Sequence, residues 1–308
     1  MDFQHELQRL LDQVPPGRVT SFKALGEALG DARAAKAIFQ ILRDERPRGW
    51  HRVVRSDGSL SFPEASRTLR TEGVSVSADR VGGFQQSMFA EFDSPRPLER
   101  LREEQRALSR RVVLEDLFGE LATVAGFDVS YEGQRAYAAA VVLDWPDLGV
   151  VEEATVRTRA SFPYISTYLA YREFEPIARC YRRLQREPSL ILVDGNGVLH
   201  PASFGIACLT GVKLDRPTIG VAKSLLMGTL EAVPMKQGEV SPVAHRGRVL
   251  GYAYKSARQG KPIYISPGHK VSPQTAVRLV KGLCRDRIPE ALRLAHLASR
   301  RLKRERAA

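Results

Sequence analysis

A chain of 308 residues with 43% hydrophobic and 27% charged content has the length for about two globular domains and too much apolar character for a disordered segment. Its net charge of +12 points to a polyanionic partner, nucleic acid foremost. No stretch approaches the roughly 18 apolar residues of a membrane helix, and Cys180, Cys208 and Cys284 are too scattered for a zinc pair or a disulfide framework, which suits a reducing, cytoplasmic setting.

Phe3, Leu7, Leu10 and Leu11 recur at helical spacing, so the polar, amphipathic start predicts a helix over 3–12 rather than a signal peptide. Val14-Pro15-Pro16-Gly17 stops it. Thr20 or Ser21 caps a second predicted helix over 22–29, ended by Gly30. A third, over about 32–43, carries Arg33, Lys36 and Arg43 around an Ala-rich face. The runs 50–55 and 60–62, split by Ser56-Asp57-Gly58-Ser59, predict a strand pair around a turn. Short helices and a basic hairpin outline a small winged helix-turn-helix (α+β) domain.

The stretches VPPGRVTSFKALGEALG, ARAAKAI and GWHRVVRSDGSLSF resemble the DNA-binding domain of O6-alkylguanine-DNA alkyltransferases, over about Phe3 to Phe84. In that family a cysteine before the His-Arg-Val takes the alkyl group as a thiolate. Trp50 stands there, and an indole cannot replace a thiolate. The segment therefore resembles the alkyltransferase-like proteins, which bind lesions without repairing them. The resemblance implies DNA contacts from Phe22 (the aromatic that helps rotate a base out), Arg33 (the intercalating finger), Trp50 and Arg52. It leaves two readings open, a lesion reader and a plain duplex-binding module.

Gly82 to Pro97 mixes Gly, Ser and Pro with polar residues and reads as a linker, residues 85–97, between domains of residues 1–84 and 98–308. A helix over 98–115 is predicted next. Strands over 123–131, 137–143 and 150–159 then predict an antiparallel meander. A helix over 168–185, a strand ending at Asp194, a helix over 204–211 and a strand over 218–222 follow. Strands over 248–253 and 261–266 and a helix over 272–284 complete the pattern. A meander followed by alternating strands and helices outlines an RNase H-like α/β fold, a mixed sheet with flanking helices.

Asp194 ends an apolar run, Leu190 to Val193, beside Gly195 and Gly197, which admit a ligand closely. Alone it would be a turn-opening Asp. Asp128 sits mid-strand among apolar neighbours, where a carboxylate is costly unless paired or metal-bound. Glu173 lies on the intervening helix, and His269 on a Gly-preceded loop after a strand. Together these suit Mg²⁺ or Mn²⁺, and in so basic a chain the chemistry is phosphodiester hydrolysis.

VAGFDVSY, FPYISTYLAYRE, LVDGNGVLHPASFGIACLTGV, PTIGVAKSLLMG and IYISPGHKVSPQTAVRLV resemble endonuclease V in order and spacing, from about Leu98 to Arg300. The resemblance implies a DNA repair nuclease that recognises deoxyinosine, the deamination product of adenine, and hydrolyses the second phosphodiester bond 3′ to it. It carries Asp128, Glu173 and Asp194 over as ligands of Mg²⁺ (Mn²⁺ as substitute), His269 to the same centre, and Lys223 as a positive group near the scissile phosphate. Pro163, Tyr164 and Ile165 match the wedge that fills the gap left by a flipped base. Gly195, His200 and backbone near Ile165 to Thr167 match the hypoxanthine pocket. Some members act on inosine in RNA, so an inosine-specific endoribonuclease is an alternative, and a non-catalytic damage sensor is another. The expected protein is a cytoplasmic monomer whose partner is DNA with deaminated bases, associated with the nucleoid through that DNA, without membrane or alkyl transfer.

Overall fold

The computed structural model describes residues 1–305 and divides into two compact units, Met1–Glu103 with Ser161–Ser166, and Glu104–Ala160 with Thr167 onward.

In the first unit, Asp2 caps α1 (Phe3–Leu11), which buries Phe3, Leu7, Leu10 and Leu11 as its spacing requires. After β1 (Thr20–Ser21), the Ser21 hydroxyl accepts the Ala24 N–H at 3.0 Å and starts α2 (Phe22–Ala28). A 3-10 turn over Ala32–Ala34 leads into α3 (Ala35–Glu45). The expected strand pair around residues 56–59 does not form as such. Trp50–Arg52 make a 3-10 turn, and β2 (Val53–Val54), buried on both sides, pairs in parallel with β1. Leu60 N–H donates instead to the Asp79 carbonyl at 2.8 Å. α4 (Ala65–Thr71), the hairpin of β3 (Val76–Ser77) and β4 (Arg80–Val81), and α5 (Phe84–Ser87) follow.

The segment expected as a linker is held by hydrogen bonds. Val19 N–H donates to the Ser87 carbonyl (2.9 Å), Phe89 N–H to the Val19 carbonyl (2.7 Å) and Leu98 N–H to the Leu29 carbonyl (2.8 Å). Asp93 N–H reaches the Gln13 side chain at 2.8 Å. Residues 85–97 therefore belong to the first unit, and α6 (Pro97–Ser109) begins inside it. All but the last are backbone pairings, to which side-chain composition is blind.

The second unit is built on β5 (Thr123–Glu132), β6 (Arg135–Asp144) and β7 (Val150–Arg159), the expected meander. Next come α7 (Leu169–Tyr181), β8 (Leu190–Asp194), α8 (Ile206–Leu214) and β9 (Thr218–Ala222). Then follow β10 (Thr229–Leu230), β11 (Val240–His245), β12 (Arg248–Tyr254), β13 (Ile263–His269), α9 (Pro273–Leu283) and α10 (Glu290–Arg304). Among the described residues nine strands form one mixed sheet, ordered β10-β11-β12-β13-β9-β8-β5-β6-β7, with β8 parallel to both neighbours. Sequence reading missed β10, β11 and α10. The basic stretch from Arg300 is helical to Arg304, and Arg306 lies outside the described residues.

Strand alternation sorts the interior into two layers. On one side Val124, Leu190 and Leu192 pack with Ala291, Leu292 and Ala295 of α10. On the other, Ala125, Phe127, Ile191 and Val193 pack with Ile177 of α7 and Ile206 and Leu209 of α8. Burial on both faces explains why β8 reads as an unbroken apolar run. A Cβ on Gly126 would overlap the Ala291 backbone, so α10 lies in contact with β5. No helix of the described residues is long and apolar enough to cross a membrane.

Candidate active site

Register brings the two aspartates together. Phe127 pairs with Val193 across parallel strands, so Asp128 and Asp194 stand level on neighbours. By strand parity both fall in the layer of Val124 and Leu192, facing α10. From α10, Ser299 Oγ lies 2.5 Å and His296 Nδ1 3.4 Å from Asp128 Oδ2. Lys223, directly after β9, sets its Nζ 2.5 Å from Asp194 Oδ2. Glu173 comes from α7 in the opposite layer.

The charges couple these groups. Glu173 is pushed up to about 8, first by burial and then by repulsion from Asp194 and Asp128, with Arg172 and Lys223 opposing. Arg172 is itself seated over the Tyr131 ring, 4.1 Å from its centroid. Burial also raises the Asp194 carboxyl, against the Lys223 ammonium and with the Asp128 charge. Among the described residues no three carboxylate, imidazole or thiolate groups stand at coordinating separation, and Lys223 engages Asp194 while Ser299 engages Asp128. The donor chemistry nevertheless fits a hard divalent cation. Three carboxylates from three elements lie close enough that the Asp128 and Asp194 charges raise Glu173 and the Asp128 charge raises Asp194, and a cation relieves that repulsion.

His269 does not join them. It ends β13 opposite Thr218, whereas Asp194 pairs with Val221, three residues along β9. At about 3.3 Å per residue that is roughly 10 Å along the strand, towards the far end of the sheet. The cause is direction, because β13 runs antiparallel to β9 and its last residue returns to where β9 begins. Its Nδ1 accepts the Val113 N–H at 3.2 Å, Nε2 lies 3.6 Å from Asp215, and burial lowers its pKa. The imidazole at the acids is His296, which sequence reading left unassigned. Its signal was the spacing of His296, Ser299 and Lys303 on one helical face near the end of the chain.

The loop after Asp194 is pinned. Gly195 N–H donates to the Val221 carbonyl (3.0 Å), Gly197 N–H to Ser266 Oγ (2.9 Å) and Val198 N–H to the Pro267 carbonyl (3.0 Å). A Cβ on Gly197 would overlap the Pro267 carbonyl, so only glycine lets the loop lie so close to β13. His200 is buried, and its Nδ1 accepts the Ala202 N–H at 3.1 Å. Pro163, Tyr164 and Ile165 group with the first unit. There Phe162 meets Phe3 edge-on at 5.9 Å, Ile165 is buried and Tyr164 is 56% exposed. Thr167 adopts φ +70°, a conformation that favours glycine.

The residues expected to touch DNA in the first unit are engaged in its framework. Phe22 is buried against Phe39 (5.6 Å between centroids) and Phe62 (6.3 Å). The Arg52 fork donates to Glu72 at 2.9 and 2.6 Å and to the Val14 carbonyl at 2.7 Å. That guanidinium, with His51 adding to it, holds the Glu72 carboxyl down at about 2. Arg33 pairs with Asp31, to which Arg102 also binds. Trp50 packs edge-on to Phe62 at 5.6 Å, and the Arg46 guanidinium covers both rings at 4.0 and 4.3 Å. Phe22 and Arg52 therefore act inwardly, a correction to the sequence reading, because their partners Phe39 and Glu72 lie 17 and 20 residues away.

Residues 106–297 match the family model for endonuclease V, and residues 2–74 match that for the 6-O-methylguanine DNA methyltransferase DNA binding domain. The chain belongs to the endonuclease V family. It is 48% identical over 203 residues to an endonuclease V of Thermofilum pendens, spanning 65% of this chain and 86% of that one. A bifunctional methyltransferase/endonuclease of Picrophilus torridus is 34% identical over 304 residues, 96% of this chain and 95% of the other, so the two-part arrangement recurs. The structure of Ciona intestinalis endonuclease V with a 24mer DNA containing an inosine followed by a ribo-adenosine superposes with TM-score 0.60 at 31% identity, over 68% of this chain and 98% of that one. This member of the endonuclease V family is a nuclease carrying an alkyltransferase-like DNA-binding domain at its N-terminal end.

Proposed function

We propose that this endonuclease nicks DNA at deoxyinosine, hydrolysing the second phosphodiester bond 3′ to it, with Mg²⁺ as its cation and Mn²⁺ as a substitute. What carries the reading is the level pair Asp128 and Asp194, gathered with Glu173, Lys223 and His296, in a family with a member crystallised on inosine-containing DNA. Asp128, Glu173 and Asp194 would hold the cation. When bound, it supplies charge stabilisation at phosphorus and acidifies its water. Lys223 offers a compact ammonium to a phosphoryl oxygen as charge builds there. His296, 3.4 Å from Asp128, can move a proton to or from an oxygen on phosphorus. Hydrolysis places the water oxygen on the 5′-phosphate and a proton on the leaving 3′-oxygen.

The loop from Gly195 to His200 continues directly from Asp194, so base recognition on its backbone would be tied to the cut. Hypoxanthine O6 needs a donor and N1–H an acceptor, and backbone N–H and carbonyl groups supply both. Tyr164, exposed on a Pro-preceded turn, suits stacking where the base has left. The first unit serves as a DNA-binding module without alkyl transfer, since Trp50 occupies the acceptor position and every cysteine lies in the second unit. The protein acts as a cytoplasmic monomer on DNA.

The test is nicking of end-labelled duplexes carrying deoxyinosine, uracil, xanthine or O6-methylguanine, with matched inosine RNA, in Mg²⁺ and in EDTA. Mg²⁺-dependent nicking at deoxyinosine that Asp194→Ala abolishes is expected. Nicking that survives Asp194→Ala would refute the site, and preference for the RNA would convert the reading to an endoribonuclease.

A further inference from the structure

One face of α10 carries His296, Ser299 and Lys303, spaced three and four residues apart. All three reach β5. His296 Nδ1 and Ser299 Oγ approach Asp128 Oδ2 (3.4 and 2.5 Å), and Lys303 Nζ donates to the Tyr131 carbonyl at 2.7 Å. Ser299 is fully buried, its Oγ 2.8 Å from Ser130 Oγ and 3.0 Å from the His296 carbonyl.

A hydroxyl has one proton and two lone pairs, so the Asp128 carboxylate and the His296 carbonyl compete for the proton of Ser299. Bonds to ionised acceptors are shorter and about twice as strong as neutral ones, and the contact to Asp128 is the shorter of the two. The proton therefore goes to Asp128, and Ser130 donates in turn to Ser299. This is an ordered relay, Ser130 to Ser299 to Asp128, and it grips the carboxylate by one oxygen. Packing alone does not call for a hydroxyl here, since the neighbouring buried positions of α10, Ala295 and Ala298, are alanine.

We infer that Ser299 is a positioning residue that fixes the rotation of the Asp128 carboxylate and thereby presets it to receive the divalent cation. The inference rests on the metal-dependent reading of the site. Supporting groups of this kind commonly contribute 10–100-fold in metal affinity.

Mn²⁺ binding to the full-length chain, followed by electron paramagnetic resonance without DNA, tests it. Ser299→Ala should weaken the Mn²⁺ Kd by about 10-fold or more. Its nicking rate should return to within a few-fold of the parent at saturating Mn²⁺. Ser130→Ala, which only depolarises Ser299, should shift the Kd less, and Ser299→Cys, with its weak S–H donor, should fall between parent and Ser299→Ala. Equal Kd in parent and Ser299→Ala, whatever the change in Tm, would overturn the inference and leave the proposed function standing. A parent that binds no Mn²⁺ and nicks without a divalent cation would overturn both.

Discussion

Replacing His269 and His296 in turn separates the chemistry from the framework. His296 faces Asp128 at 3.4 Å and bears on Asp194 electrostatically. A group positioned to move a proton contributes about 10²–10⁴-fold, roughly 3–5 kcal/mol of barrier. His296→Ala should therefore lower the single-turnover nicking rate at saturating enzyme by at least about 100-fold while leaving the urea midpoint nearly unchanged. His269→Ala removes the acceptor of the part-buried Val113 N–H. Leaving such a group unsatisfied costs about 1–3 kcal/mol of stability, yet the nicking rate per folded molecule should stay within about threefold of the parent. Single-turnover kinetics at 25 °C, paired with urea unfolding followed by circular dichroism, read both numbers. If His269→Ala lost activity without losing stability and His296→Ala remained active, the register argument would fail.

Lys223→Met should keep the fold and slow nicking by about 100-fold, as loss of one charge-stabilising donor does, which quench-flow assays would show. Gly126→Ala should destabilise the second unit by about 1–3 kcal/mol through overlap with the Ala291 backbone, measured as a shift in denaturation midpoint. Glu72 should make the first unit acid-sensitive. Its folded pKa of about 2 lies below the ordinary 4.5, so its stabilisation is complete above about 4.5 and lost as pH falls towards 2. A fall from 4.5 to about 2 corresponds to at most about 3.5 kcal/mol. Urea midpoints over that window should fall more steeply in the parent than in Glu72→Gln, and parallel curves would show that the Arg52 pair contributes nothing.

Much of the candidate site was legible because its chemistry lies in residue type and local pattern. The apolar run ending at Asp194 carries its own boundary, and an acid amid the apolar residues of β5 is conspicuous wherever that strand goes. The aromatic and basic residues of the first unit were legible as types but not as roles. Phe22 and Arg52 look available until Phe39 and Glu72 are seen against them. The segment 85–97 misled for a related reason, since its composition is that of a tether and its backbone is that of a paired edge.

By itself, the sequence determined the secondary-structure periods, the acids of the candidate centre and the missing acceptor thiol at Trp50, all of which depend on near neighbours along the chain. Tertiary structure decided which histidine meets those acids. Strand direction sends His269 to the far end of β9, while α10, closing over β5 at Gly126, delivers His296 and Ser299 to Asp128 from about 170 residues away. A local pattern holds no record of direction or register between distant strands, and the completed site depends on both.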